Sequence, residues 1–140
     1  MRVTLVTLLL FGLAATVAQA SPGLKAPVIH ETFTTLPCPA HPQTTLAEEG
    51  CAEKAILVGD RAINTQAKAI FGLLRTTAAR ASFVRGEQAW LSYRRTSCSA
   101  EASFYDGGSL EPVAFASCAV GRNKTHLADL LAMRKSLSHH

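Results

Sequence analysis

The sequence predicts an all-α protein: a small antiparallel three-helix domain with two disulfides and a Pro-rich extended N-terminal arm. Three observations carry that prediction. Apolar residues recur at steps of three and four from residue 45 onward, strand-like alternation is weak throughout, and the four cysteines are even in number and widely spaced. A chain of 140 residues is long enough for one domain with a modest core.

The first twenty residues follow a different plan. Met1-Arg2 is a short positive start, Val3 to Ala18 is almost unbroken apolar sequence, and Ala18-Gln19-Ala20 is a small-residue cleavage site. This is the pattern of a secretory signal peptide over residues 1–20, cleaved near Ala20. Its apolar run is short for a membrane span, and no cysteine follows it directly to carry a lipid. The expected product is exported to the periplasm or the medium, with neither a membrane span nor a lipid anchor. It keeps 13 of the 14 Lys and Arg against 10 Asp and Glu, a net charge near +3.

Export bears on the cysteines. Cys38, Cys51, Cys98 and Cys118 lie 13, 47 and 20 residues apart, with no Cys-x-x-Cys. An oxidising compartment favours two disulfides over a zinc site, whose ligands come in close pairs. Count alone leaves three pairings open.

Residues 21–43 hold Pro22, Pro27, Pro37, Pro39 and Pro42. Prolines at that density forbid a regular helix and keep the chain extended. Val28, Ile29, Phe33 and Leu36 give this arm apolar side chains to lay along a groove of the domain that follows, residues 44–140. The first helix is expected over residues 45–75. Thr45-Leu46-Ala47-Glu48 can form a capping box, and Ala52, Ile56, Gly59, Ile63, Ala67, Ile70 and Leu74 mark one apolar face. The second is expected over residues 78–105, with Phe83, Gly86, Trp90, Tyr93, Ser97 and Cys98 turned inward. Asp106-Gly107-Gly108-Ser109 then breaks the pattern, its glycines suited to positive φ and Ser109 to capping the next helix. The third helix is expected over residues 110–135. Pro112 falls in its first turn, where a missing N–H costs nothing, and Val113, Phe115, Ala116, Val120, Leu127, Leu130, Leu131 and Met133 supply apolar contacts.

Short connectors make neighbouring helices antiparallel, so residues equidistant from a turn face each other. Cys98 and Cys118 each lie ten residues from Gly108, which predicts a Cys98–Cys118 bridge and leaves Cys38 for Cys51. About a turn near Thr77 the same reasoning sets Asp60 opposite Arg94 and Asn64 opposite Trp90. An Asp60–Arg94 ion pair, of a kind a guanidinium can make bidentate, is expected to set helix register rather than to do chemistry. Trp90 is assigned to the core.

The stretch Gly86-Glu87-Gln88-Ala89-Trp90-Leu91-Ser92-Tyr93-Arg94, followed by Cys98, Tyr105-Asp106-Gly107-Gly108-Ser109 and Cys118, resembles the LprI-type lysozyme-inhibitor domain. That family is small, exported, helical and bacterial. Asp60, Ile63 and Asn64 match the Asp-x-x-Leu-Asn of its first helix, and the resemblance runs from about Thr44 to Leu130. Four positions depart from the family pattern: Glu87 stands for Gln, Arg95 for Asp, His126 for Arg and Ala67 for Tyr. The resemblance implies a protein that blocks a lysozyme by docking a rigid loop and needs no cofactor.

Nothing in the sequence points to catalysis. The histidines are His30, His41, His126, His139 and His140, and there is no His-Glu-x-x-His, Gly-x-Ser-x-Gly or phosphate-binding glycine loop. No catalytic residue, metal ligand or cofactor is therefore expected. Nucleic acid is not expected as a partner, because a charge near +3 is a mild excess and its cations are spread over all three helices. Glu48, Glu49 and Glu53 open the first helix, where acids favour the helix dipole. Two loops remain as recognition surfaces. One carries Tyr105, Asp106 and Ser109 at the second hairpin; the other carries His41 in the loop Pro37–Pro42, closed by Cys38–Cys51. Ser109 or His41 could hydrogen-bond the catalytic carboxylates of a lysozyme. Animal-type lysozymes are cationic, so net charge alone predicts repulsive steering and leaves affinity to short-range fit. The rival reading is a non-inhibitory cell-envelope module that meets an acidic partner through its arm or basic helix faces. No sequence feature bears on oligomeric state.

Overall fold

A computed structural model describes residues 23–33 and 36–139. The expected signal peptide lies outside the described residues. Three long helices, α1 (Thr45–Leu73), α2 (Thr77–Ala102) and α3 (Glu111–Leu137), run up, down and up, and no strand occurs among the described residues. The fold is all-α.

Local chemistry sets each boundary. The Thr44 side chain accepts the Ala47 N–H at 3.2 Å, so α1 is capped by Thr44 and not by Thr45. Thr76 caps α2 in the same way through the Ala79 N–H at 3.1 Å. Between these helices Arg80 donates from Nε to the Leu74 carbonyl at 2.9 Å, satisfying an oxygen left free at the end of α1. Helix α2 ends earlier than expected, in a 3-10 turn over Ser103–Tyr105. Ser109 is not a cap either. The residue before α3 is Leu110, without a capping side chain, and Glu111 supplies the local bond by accepting the Gly107 N–H at 2.8 Å. Gly107 has φ +71°, a conformation that suits glycine.

Helix α3 packs closely on both α1 and α2, whereas the backbones of α1 and α2 scarcely meet. Residues 27–29 line a crevice with Ile63, Asn64 and Ala67 of α1 and Glu87, Gln88 and Leu91 of α2. Asn64 is turned to this segment and not to Trp90. Its Oδ1 accepts the Ile29 N–H at 2.7 Å and its Nδ2 donates to the Ile29 carbonyl at 3.0 Å. One side chain thus satisfies both backbone groups of a residue that has no secondary structure.

The apolar core falls into two clusters. Ile56, Ala116 and Ala119 pack around Cys98 and Cys118, with Phe33 and Phe115 against them. Ile63, Ile70 and Leu130 form the other, flanked by Phe83, Trp90 and Leu127. The disulfides are Cys38–Cys51 and Cys98–Cys118. Four expected inward positions are corrected, and the first of them, Gly86, is exposed. Tyr93 is 51% exposed, Leu131 48% and Met133 45%. On α2 the buried stripe is Arg94, Cys98 and Ala102, a four-residue step that leaves Tyr93 and Gly86 outside it.

Candidate functional site

Between the two apolar clusters lies a polar layer. Asp60, Arg94 and Asn123 are each at most 4% exposed. Arg94 Nη1 donates to Asp60 Oδ1 at 2.5 Å and to Asn123 Oδ1 at 2.6 Å, and Asn123 Nδ2 donates to Asp60 Oδ1 at 2.9 Å. The ion pair is monodentate: Arg94 Nη2 is taken at 2.8 Å by Glu31 of the N-terminal segment, which also accepts from Arg95 at 3.2 Å. All three helices and the segment before them are joined at one guanidinium. Trp90 lies beneath it at 5.3 Å and stacks on His126 with ring centroids 3.8 Å apart. His126 Nε2 is 2.9 Å from Glu87 Oε2. Arg94 Nη1 and Nη2 and Asn123 Nδ2 all have partners within the chain, and Asp60 Oδ2 is buried with none, so the layer is a structural hub.

The free surface is at the end of the bundle where α1 starts, α2 stops and α3 starts. The turn there is held from within. Asp106 N–H donates to the Ser103 carbonyl at 3.3 Å, Gly108 N–H to the Tyr105 carbonyl at 2.7 Å, and Glu111 N–H to the Gly108 carbonyl at 3.0 Å. Cys98–Cys118 closes its base across 20 residues, worth about 3 kcal/mol on a chain-entropy account. On this clamped turn Phe104 is 89% exposed and Tyr105 47%. Asp106 and Ser109 are exposed beside them. His41 is exposed too, in the loop tied by Cys38–Cys51 to the first turns of α1, at the same end.

A second helix continued through Tyr105 hides Phe104 within its turns, whereas α2 stops at Ala102 and leaves it on the turn. The helical step does expose it: two residues beyond Ala102, it is turned about 200° from the buried stripe.

A cleft of about 320 Å³ opens beside the turn, lined by Glu49, Glu53 and Glu111 together with Phe33, Pro112 and Phe115. Burial, with the Glu49 charge nearby, raises the Glu53 carboxyl above its usual 4.5. Its Oε2 is buried without a hydrogen-bond partner. The acids at this end are numerous: Glu48, Glu49, Glu53, Glu101, Asp106 and Glu111 are six of the chain's ten, and Lys54 is the only Lys or Arg in residues 44–59 and 96–121. Net charge therefore misdescribes this face, which is strongly negative on a molecule that is positive overall.

No group of three or more His, Cys, Asp or Glu side chains among the described residues could hold a metal ion, and no described helix is long and apolar enough to cross a membrane. No curated protein and no solved structure matches the chain. The family described as lysozyme inhibitor LprI matches residues 38–130, a span that takes in both disulfides, Asp60, Arg94 and Asn123 of the polar hub, and the clamped turn. The chain belongs to the lysozyme inhibitor LprI family.

Proposed function

We propose that the protein inhibits a lysozyme by docking the acidic, disulfide-clamped end of the bundle against the enzyme. Phe104 is the observation that carries this reading. An aromatic side chain 89% exposed on a turn with its own hydrogen bonds and a cystine at its base is a preorganised anchor. Tyr105, Asp106 and Ser109 flank it, and His41 extends the same end. The six acids around these loops complement a cationic enzyme at short and long range. The disulfides and the family point to an exported protein, which is where such an enzyme is met.

The test is titration of lysozymes of several classes with the oxidised protein. A stoichiometric, saturable loss of activity is expected. Phe104→Ser should weaken inhibition by about thirtyfold, the equivalent of about 2 kcal/mol of lost aromatic burial, with thermal stability unchanged. Full activity of every class at a large excess of protein sinks the proposal. Inhibition that is unaffected by Phe104→Ser moves the contact away from this turn.

A further inference from the structure

The opposite end of the bundle is basic. Residues 61–86, the end of α1 and the start of α2, contain Arg61, Lys68, Arg75, Arg80 and Arg85 and no acid. The last turn of α3 adds Arg134 and Lys135. Against these cations stands Asp129, exposed about two turns before the end of α3, and among the described residues the ion pairs involve only Arg94, Arg95 and His126, so no ion pair neutralises this end. Helix electrostatics explains part of the arrangement, since cations at a helix C-terminus are favourable. It does not explain Arg80 and Arg85, close to the N-terminus of α2, a helix with no acid in its first turn. Arg80 is held by Leu74 and lies 5.1 Å from the Phe71 ring. Lys68, Arg75 and Lys135 are exposed, and no hydrogen bond or ion pair involves them among the described residues. The same end also exposes apolar side chains, Leu73 at 40%, Leu131 at 48% and Met133 at 45%.

From this combination we infer that the basic end is a docking surface for an anionic phospholipid bilayer. Cations attract the phosphate headgroups, and the leucines and methionine enter the boundary below them, as on interfacial helices. A nucleic acid fits less well, because the exposed aromatic residues on which bases would stack lie away from this end, Tyr93 in the second half of α2 and Phe104 and Tyr105 at the far end. The inference goes beyond lysozyme inhibition and does not depend on it: a bilayer at one end leaves the acidic end pointing away from the surface.

The test is co-sedimentation of the oxidised exported protein with vesicles. The mixed vesicles hold one part phosphatidylglycerol to two parts phosphatidylcholine, and the controls phosphatidylcholine alone. Binding is expected to the mixed vesicles only and should fall steeply with added salt. Each surface cation is worth about fivefold in affinity, so Lys68→Gln/Arg75→Gln/Lys135→Gln should lose on the order of a hundredfold. Far-UV circular dichroism should show that variant folded, since these side chains hold nothing in place. Leu131→Ser/Met133→Ser should weaken vesicle binding as well. Absence of binding at low salt, or wild-type affinity in the triple variant, overturns the inference. So does tighter binding to duplex DNA together with no effect of the Leu131 and Met133 changes, which would assign the surface to nucleic acid.

Discussion

Arg94 is charged, 3% exposed and met by acceptors from α1, α3 and the N-terminal segment. A buried guanidinium is tolerated only while such partners remain, so removing one strands the charge. Asp60→Ala should cost about 3 kcal/mol, read as a lowered urea midpoint in equilibrium unfolding. Glu53 is the opposite case, a carboxylate whose environment opposes its charge. Its folded-state carboxyl is raised above 4.5, so below that value both states hold the proton and no penalty exists. As pH rises through the raised value the folded state must carry the charge, and stability falls. Glu53→Gln should flatten this decline and raise the melting temperature at neutral pH, which thermal melts across that range will show. Asp60 and Arg94 were legible in the sequence because both sit on regular helices, where distance from a turn maps onto position. Glu31 was not. It contacts Arg94 across 63 residues from a segment without periodicity, and no spacing rule reaches it. Glu87 and His126 could be named as departures from the family pattern, but only the structure shows that the two replaced positions touch.

Helix–helix contact distinguishes glycines that look alike in sequence. A Cβ on Gly59 of α1 would lie 2.8 Å from Asn123 Nδ2 and 3.1 Å from Asn123 Cβ, on the side chain that bridges Asp60 and the Ile56 carbonyl. A Cβ on Gly86, inside α2, meets nothing within 4 Å. Gly59→Ala should destabilise by about 1–3 kcal/mol despite its better helix propensity, because α3 must move or Asn123 must let go. Gly86→Ala should stabilise by about 0.5–1 kcal/mol, since only the unfolded chain feels the change. Chemical denaturation of the two variants side by side measures the difference in sign. The three helices, their order and the cystine pairing could be read from apolar spacing and short turns. The inward face of α2 could not be read as well, because its stripe is interrupted by a charged residue. With Arg94 counted as surface, the face turns toward Tyr93; with Arg94 counted as core, Cys98 and Ala102 follow at four-residue steps and Phe104 falls outside.

The whole molecule is an electrostatic dipole, with six acids at the clamped end and an acid-free run of 26 residues at the other. Composition could not show this, because antiparallel helices bring residues 48–53 and 101–111 together and set both apart from residues 61–86. It changes the expectation for a cationic partner. Two positive molecules repel at separations large compared with the bundle, but helices of 26 to 29 residues are about 40 Å long, several times the screening length at physiological salt. An enzyme approaching the acidic end is screened from the basic one and meets net attraction. Association with a cationic lysozyme should therefore slow as salt is added, by roughly tenfold between low and high ionic strength, while the dissociation rate changes little. Stopped-flow measurement of the association rate against ionic strength gives the sign directly. Faster association in high salt would mean that like-charge repulsion governs the encounter, and the contact would then have to be sought away from the acidic end.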